Sequence, residues 1–114
     1  SSGHHVEAAQ RFLEAKERYP VGSELWARAT ASTFDTLQQE ECSEVAKPEW
    51  WNDEELKALS ARLVRAAPNH AAPNSMRAGV LSGITGDAWE MGPCSTAELK
   101  EAATHLRRFT LLRR

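Results

Sequence analysis

Six residues could in principle hold a metal ion or act as nucleophile and base: His4, His5, Cys42, His70, Cys94 and His105. A structural zinc site takes its ligands in close pairs, Cys-x2-Cys or His-x3-His, because one turn or loop must present both. No pair here has that spacing. Nucleophilic Cys/His chemistry needs a base within hydrogen-bond reach of the thiol, and nothing in the order of residues brings one there. Gly79, Gly83, Gly86 and Gly92 lack the clustered pattern, with Lys and Ser/Thr entering a helix, that cradles a phosphate. The carboxylate pairs Glu40-Glu41 and Glu54-Glu55 fall at solvent-facing or helix-capping positions, and the second pair suits the positive end of a helix dipole. The expectation is a protein with no catalytic residue, no metal and no cofactor, and not an enzyme.

Binding chemistry is better represented. Trp50, Trp51 and Trp89 fall in connections between helical stretches. Trp is enriched at interface hot spots, so these three are candidate partner anchors; the alternative is that each folds back as a lid over its own helical hairpin. Arg107, Arg108, Arg113 and Arg114 make the end of the chain basic, which suits a helix C-terminus. Nucleic acid is disfavoured as a partner, because the chain carries a net charge of −2 and has no groove-reading motif. The charge is unevenly spread. Residues 1–55 hold 5 basic and 12 acidic side chains, whereas residues 56–114 hold 9 and 4. Such a split could draw one end of a copy toward the other end of a second, or be ordinary scatter over solvated faces.

The elements that must position these groups are helices. The chain has 114 residues, with 18 Ala, 11 Leu and 13 Glu against five Val and one Ile. Sheets need β-branched residues on their pleated faces, and buried parallel strands need runs of them; this composition supplies neither. About five helices are predicted, near 5–18, 24–41, 53–67, 71–83 and 96–112, in one domain over 5–113, with 1–4 a disordered tail or an expression scar. Their apolar residues recur at three- and four-residue steps: Ala8, Phe12 and Ala15; Leu25, Trp26 and Phe34; Leu56, Leu59, Leu63, Val64 and Ala66; Met76, Val80 and Leu81; Leu99, Ala102, Ala103, Leu106 and Phe109. Ser23 is a candidate N-cap, and Asn52/Glu55 and Ser95/Glu98 read as capping boxes. No window has the 18 apolar residues of a membrane span, and the N-terminus lacks the pattern of a signal peptide. Two cysteines are too few for a disulfide scaffold, which points to reduced thiols and an intracellular site, the cytoplasm first, an organelle also being open.

A three-residue pattern at offsets zero, four and seven recurs as Ala8-Phe12-Ala15, Leu59-Leu63-Ala66 and Ala102-Leu106-Phe109, with starts 51 and 43 residues apart. The run Ala8-x3-Phe12-x2-Ala15-x4-Pro20, followed by Trp26, resembles the junction between two tetratricopeptide repeats. In that family small residues let paired helices approach, an aromatic fills the groove between them, and proline forces the turn. Residues 50–83 also resemble uncharacterised helical-repeat proteins of eukaryotic algae. The resemblance implies an all-α fold, with antiparallel hairpins in a TPR-like α-solenoid fragment that has long intra-repeat connections. It also implies a protein-interaction scaffold for a partner protein or peptide. The repeat core would be Ala8, Phe12, Ala15, Trp26, Leu59, Leu63, Ala66, Ala102, Leu106 and Phe109. The concave surface would present Glu24, Ala31 and Asp35 from one helix and Asn74, Ser75 and Arg77 from another. The family's carboxylate clamp is not expected, since the matching positions are Ala27 and Ala31. The alternative function is a structural element that self-assembles through its acidic and basic halves, as a homo-oligomer or part of a larger assembly.

Overall fold

In a computed structural model of the chain, the described residues are 17–38, 49–82 and 94–113, together with Glu7, Gln10, Arg11 and Glu14. Among them every regular element is helical and none is a strand. The four bounded helices are α1 (Glu24–Leu37), α2 (Asp53–Ala66), α3 (Ala71–Ser82) and α4 (Thr96–Leu112). Glu7, Gln10, Arg11, Glu14 and Glu17 are also helical and exposed, with Arg11 paired to Glu7 one turn away at 2.7 Å. The expected core residues Ala8, Phe12 and Ala15 lie outside the described residues.

Local chemistry sets where the helices start. Pro20 and Gly22 (φ 93°) make a turn in which the Ser23 amide donates to the Pro20 carbonyl. The Ser23 hydroxyl then accepts from the Trp26 amide at 3.1 Å, satisfying one of the four amides that a helix start leaves unpaired. Ser95 does the same for α4. Its hydroxyl accepts from the Glu98 amide, and the Glu98 carboxylate accepts from the Ser95 amide at 2.9 Å, a complete capping box. At α2 the expected box takes a different form. Asn52 accepts from the Glu55 amide, but the Glu55 carboxylate accepts from the Asn52 side-chain amide rather than from the backbone. Asn is the reason, because it carries a donor that Ser and Thr cannot offer in the same place. Pro73 sits in the first turn of α3, where its missing N–H costs little.

α3 is the central helix. It packs against α4, α2 and α1, and α1 packs against α2. The core gathers Trp26, Ala27, Ala31 and Phe34 from α1, Leu56 and Leu63 from α2, and Met76 and Val80 from α3. Trp50 and Trp51 lie half-buried against this core, Trp51 5.1 Å from the Phe34 ring and 5.7 Å from Trp50. Of the residues expected in a repeat core, Trp26, Leu63 and Ala102 are buried and Leu59 and Ala66 are partly buried.

The apolar stripe of α4 departs from expectation. Ala102 is buried, but Leu106 is 56% and Leu99 47% exposed, and Phe109 is half-buried. Among the described helices α4 packs chiefly on α3, and Ala102 and His105 make that contact, so the rest of a stripe wider than one interface is left uncovered by α3.

α4 is tied to α2 at its first turn, where Lys57 Nζ lies 2.8 Å from Glu98 Oε2. The hydrogen bond from Lys57 and then the Ser95 amide hold the Glu98 carboxyl well down, from 4.5 to about 2. A depressed folded-state pKa stabilises at pH values above the ordinary one and ceases to do so as pH falls through the folded one. Helicity measured by circular dichroism should therefore decline between pH 4.5 and about 2, and Glu98→Gln should flatten that dependence. An unchanged acid transition in Glu98→Gln would remove the contact from the account.

Candidate functional site

The uncovered side of α4 faces α1 across α3. α1 and α4 make no interface comparable to the one each has with α3. Between them lies a groove of about 760 Å³. Ala72, Ser75, Met76, Gly79 and Ser82 of α3 form its floor. Ala31, Phe34 and Asp35 of α1 form one wall, and Leu99, Ala103, Leu106 and Phe109 of α4 form the other. The floor residues Ala72, Ser75, Gly79 and Ser82 recur at three- and four-residue steps, so one face of α3 is built of small side chains. A backbone can come close to such a face. The walls supply the apolar area: exposed leucines at this density mark a binding surface more often than isolated ones do.

Beneath the α4 wall a polar network fixes its position. Asn74 is fully buried, and its side-chain amide donates to the carbonyls of Pro68 and His70, each at 3.0 Å. Those two bonds set which end of the amide is nitrogen, so the oxygen faces His105 and accepts from Nδ1 at 3.0 Å. His105 Nε2 meets Glu101 Oε2 at 3.1 Å. Arg77 completes the set. Its Nε lies 2.9 Å from Glu101, and its Nη1 donates to the Lys57 carbonyl at 2.7 Å and the Ser60 hydroxyl at 3.0 Å. Burial raises the Glu101 carboxyl, but the Arg77 guanidinium and then His105 act against it, leaving it below its ordinary value. Both His105 nitrogens are engaged and Ser60 accepts from Arg77 while donating to Lys57. The cluster therefore reads as a latch between α2, α3 and α4 rather than as a nucleophile and base.

The residues expected at a binding surface separate into three groups. Asp35 and Ser75 line the groove with Ala31. Asn74 and Arg77 do not: both are committed to the latch, Asn74 to carbonyls of the turn before α3 and Arg77 to Glu101, the Ser60 hydroxyl and the Lys57 carbonyl in the first half of α2. Glu24 lies at the start of α1, paired with His70, and so fastens α1 to the turn entering α3. Trp50 and Trp51 pack on the core, and Trp50 with Trp26, Leu59 and Arg62 lines a second hollow of about 440 Å³. Trp89 lies outside the described residues, as do Cys42, His4 and His5. Among the described residues no group of three His, Cys, Asp or Glu side chains could hold a metal ion, and no helix is long and apolar enough to cross a membrane. Sequence reasoning missed that α4 forms a wall. The available signal was its double line of apolar residues, Ala102 with Phe109 and Leu99 with Ala103 and Leu106.

Trp51 tests the lid. Trp51→Ala removes the ring stacked near Phe34 and should cost about 2–4 kcal/mol of unfolding free energy by urea titration. A loss below about 0.5 kcal/mol would mean that the ring is not packed on the core.

Comparison with known proteins returned no matching family model, no matching curated protein and no matching solved structure.

Proposed function

We propose that this chain is a protein-interaction scaffold that takes a segment of a partner protein in the groove between α1 and α4. The observation that carries this reading is the α4 wall, with leucines 47% and 56% exposed beside a floor of small residues. Three helices with one open edge resemble a four-helix bundle that lacks its fourth member. The sequence resemblance to tetratricopeptide repeats supports the same class of function, since such repeats bury faces against neighbours and use grooves to bind.

The test is a selection of displayed helical peptides against the purified protein, with Leu106→Glu as the counter-target. Leu106 is exposed, so the substitution should leave thermal unfolding within about 0.5 kcal/mol of the parent. Selected peptides should lose at least about tenfold in affinity for Leu106→Glu, roughly 1.4 kcal/mol. Peptides that bind both proteins equally would place recognition elsewhere. Self-assembly through the acidic and basic halves is the rival, and light scattering at low and high salt separates the two. A monomer at both salts removes the electrostatic assembly.

A further inference from the structure

The groove has a charged rim on one side. Lys100 and Arg107 each follow a groove-lining leucine by one residue and are seven residues apart, so they share one edge of α4, on the side of the leucine stripe away from α3. Both are exposed. The acidic residues of α4 are already committed, Glu98 to Lys57 and Glu101 to Arg77 and His105. Among the described residues neither Lys100 nor Arg107 has a carboxylate partner; Arg107 reaches the Thr104 hydroxyl at 3.5 Å. The other wall carries the opposite sign, with Asp35 exposed on α1.

We propose that the occupant of the groove is an amphipathic helix with acidic side chains along the edge that lies beside α4. This rests on the groove being the binding surface. A helix fits because floor and walls are themselves helices, and a fourth packed among them buries both leucines without leaving backbone groups unpaired. From Leu99 to Phe109 the wall spans eleven residues, and the ten rises of about 1.5 Å between them take about 15 Å, or three turns, of guest. Anchors would recur at three-, four- and seven-residue steps. Charge at the rim sets orientation and encounter rate more than depth of binding. A second copy pairing α4 against α4 in antiparallel fashion is disfavoured, because Lys100 of one would meet Arg107 of the other.

Three synthetic helical peptides of about five turns test this, identical in apolar face and differing only in one edge: Glu, Gln or Lys. By fluorescence anisotropy at low salt the Glu peptide should bind at least about tenfold more tightly than the Lys peptide, an advantage that shrinks as salt screens the rim. Lys100→Glu with Arg107→Glu should reverse the order. Arg108→Glu, the same change in charge on the far face of α4, should not. Equal binding of all three peptides overturns the acidic edge and leaves the groove standing. Binding undiminished by Leu106→Glu, or no binding by any of the three, overturns the groove itself. A free protein that sediments as a dimer, with Leu106→Glu a monomer, makes a second copy the occupant and also overturns the proposal.

Discussion

Phe34→Ala is expected to lower the unfolding free energy by about 3–5 kcal/mol. Phe34 is 2% exposed, its ring sits 5.1 Å from Trp51, and it belongs to the cluster that joins α1, α2 and α3. Deleting the ring removes its burial and leaves a cavity that well-packed neighbours fill only in part. A domain of this size holds roughly 5–15 kcal/mol in all, so the substitution removes a large share. Phe34 also lines the groove. Its loss should therefore weaken peptide binding as well as stability, in contrast to Leu106→Glu, which should act on binding alone. Urea titration measures the first effect. A loss below about 1 kcal/mol would show that α1 is not packed through this ring.

Asn74→Ala is the second large effect, at about 2–4 kcal/mol. One buried side chain joins three groups: the Pro68 carbonyl, the His70 carbonyl and the His105 ring. Alanine leaves two part-buried carbonyls and one buried ring nitrogen without their side-chain partner, and that desolvation cost exceeds the net worth of the bonds themselves. The effect should concentrate on α4, because His105 is one of its two buried residues. Hydrogen exchange should thus show the α4 amides losing protection ahead of those in α1 and α2. Uniform loss of protection across all four helices would deny Asn74 its specific hold on α4.

These two residues also show what a sequence discloses. Phe34 is legible, because it falls on the stripe of Trp26 and Leu37, and periodicity reports which face is apolar; Leu25, expected on the same stripe, lies at its edge and is 52% exposed. The caps at Ser23 and Ser95 were legible because capping joins residues three apart. Asn74 was read as a surface residue. Its partners His105 and Arg77's partner Ser60 lie 31 and 17 residues away from them in the chain, and nothing local announces such pairings. The groove was half legible. Asp35 and Ser75 were assigned to a shared surface from alternate helices, and they do line it. The wall was not, because an apolar stripe identifies a face without saying what covers it. Leu106 was expected in the core and is more than half exposed.

Binding is expected at one surface built by three helices together. Amide chemical shifts of the protein titrated with the acidic-edge peptide test that most directly. The predicted result is a single cluster of perturbed residues that includes Asp35 of α1, Ser75 and Gly79 of α3, and Ala103 and Leu106 of α4, absent from Leu106→Glu. Perturbations confined to the hollow beside Trp26, Trp50 and Arg62, with these five residues unmoved, would contradict it.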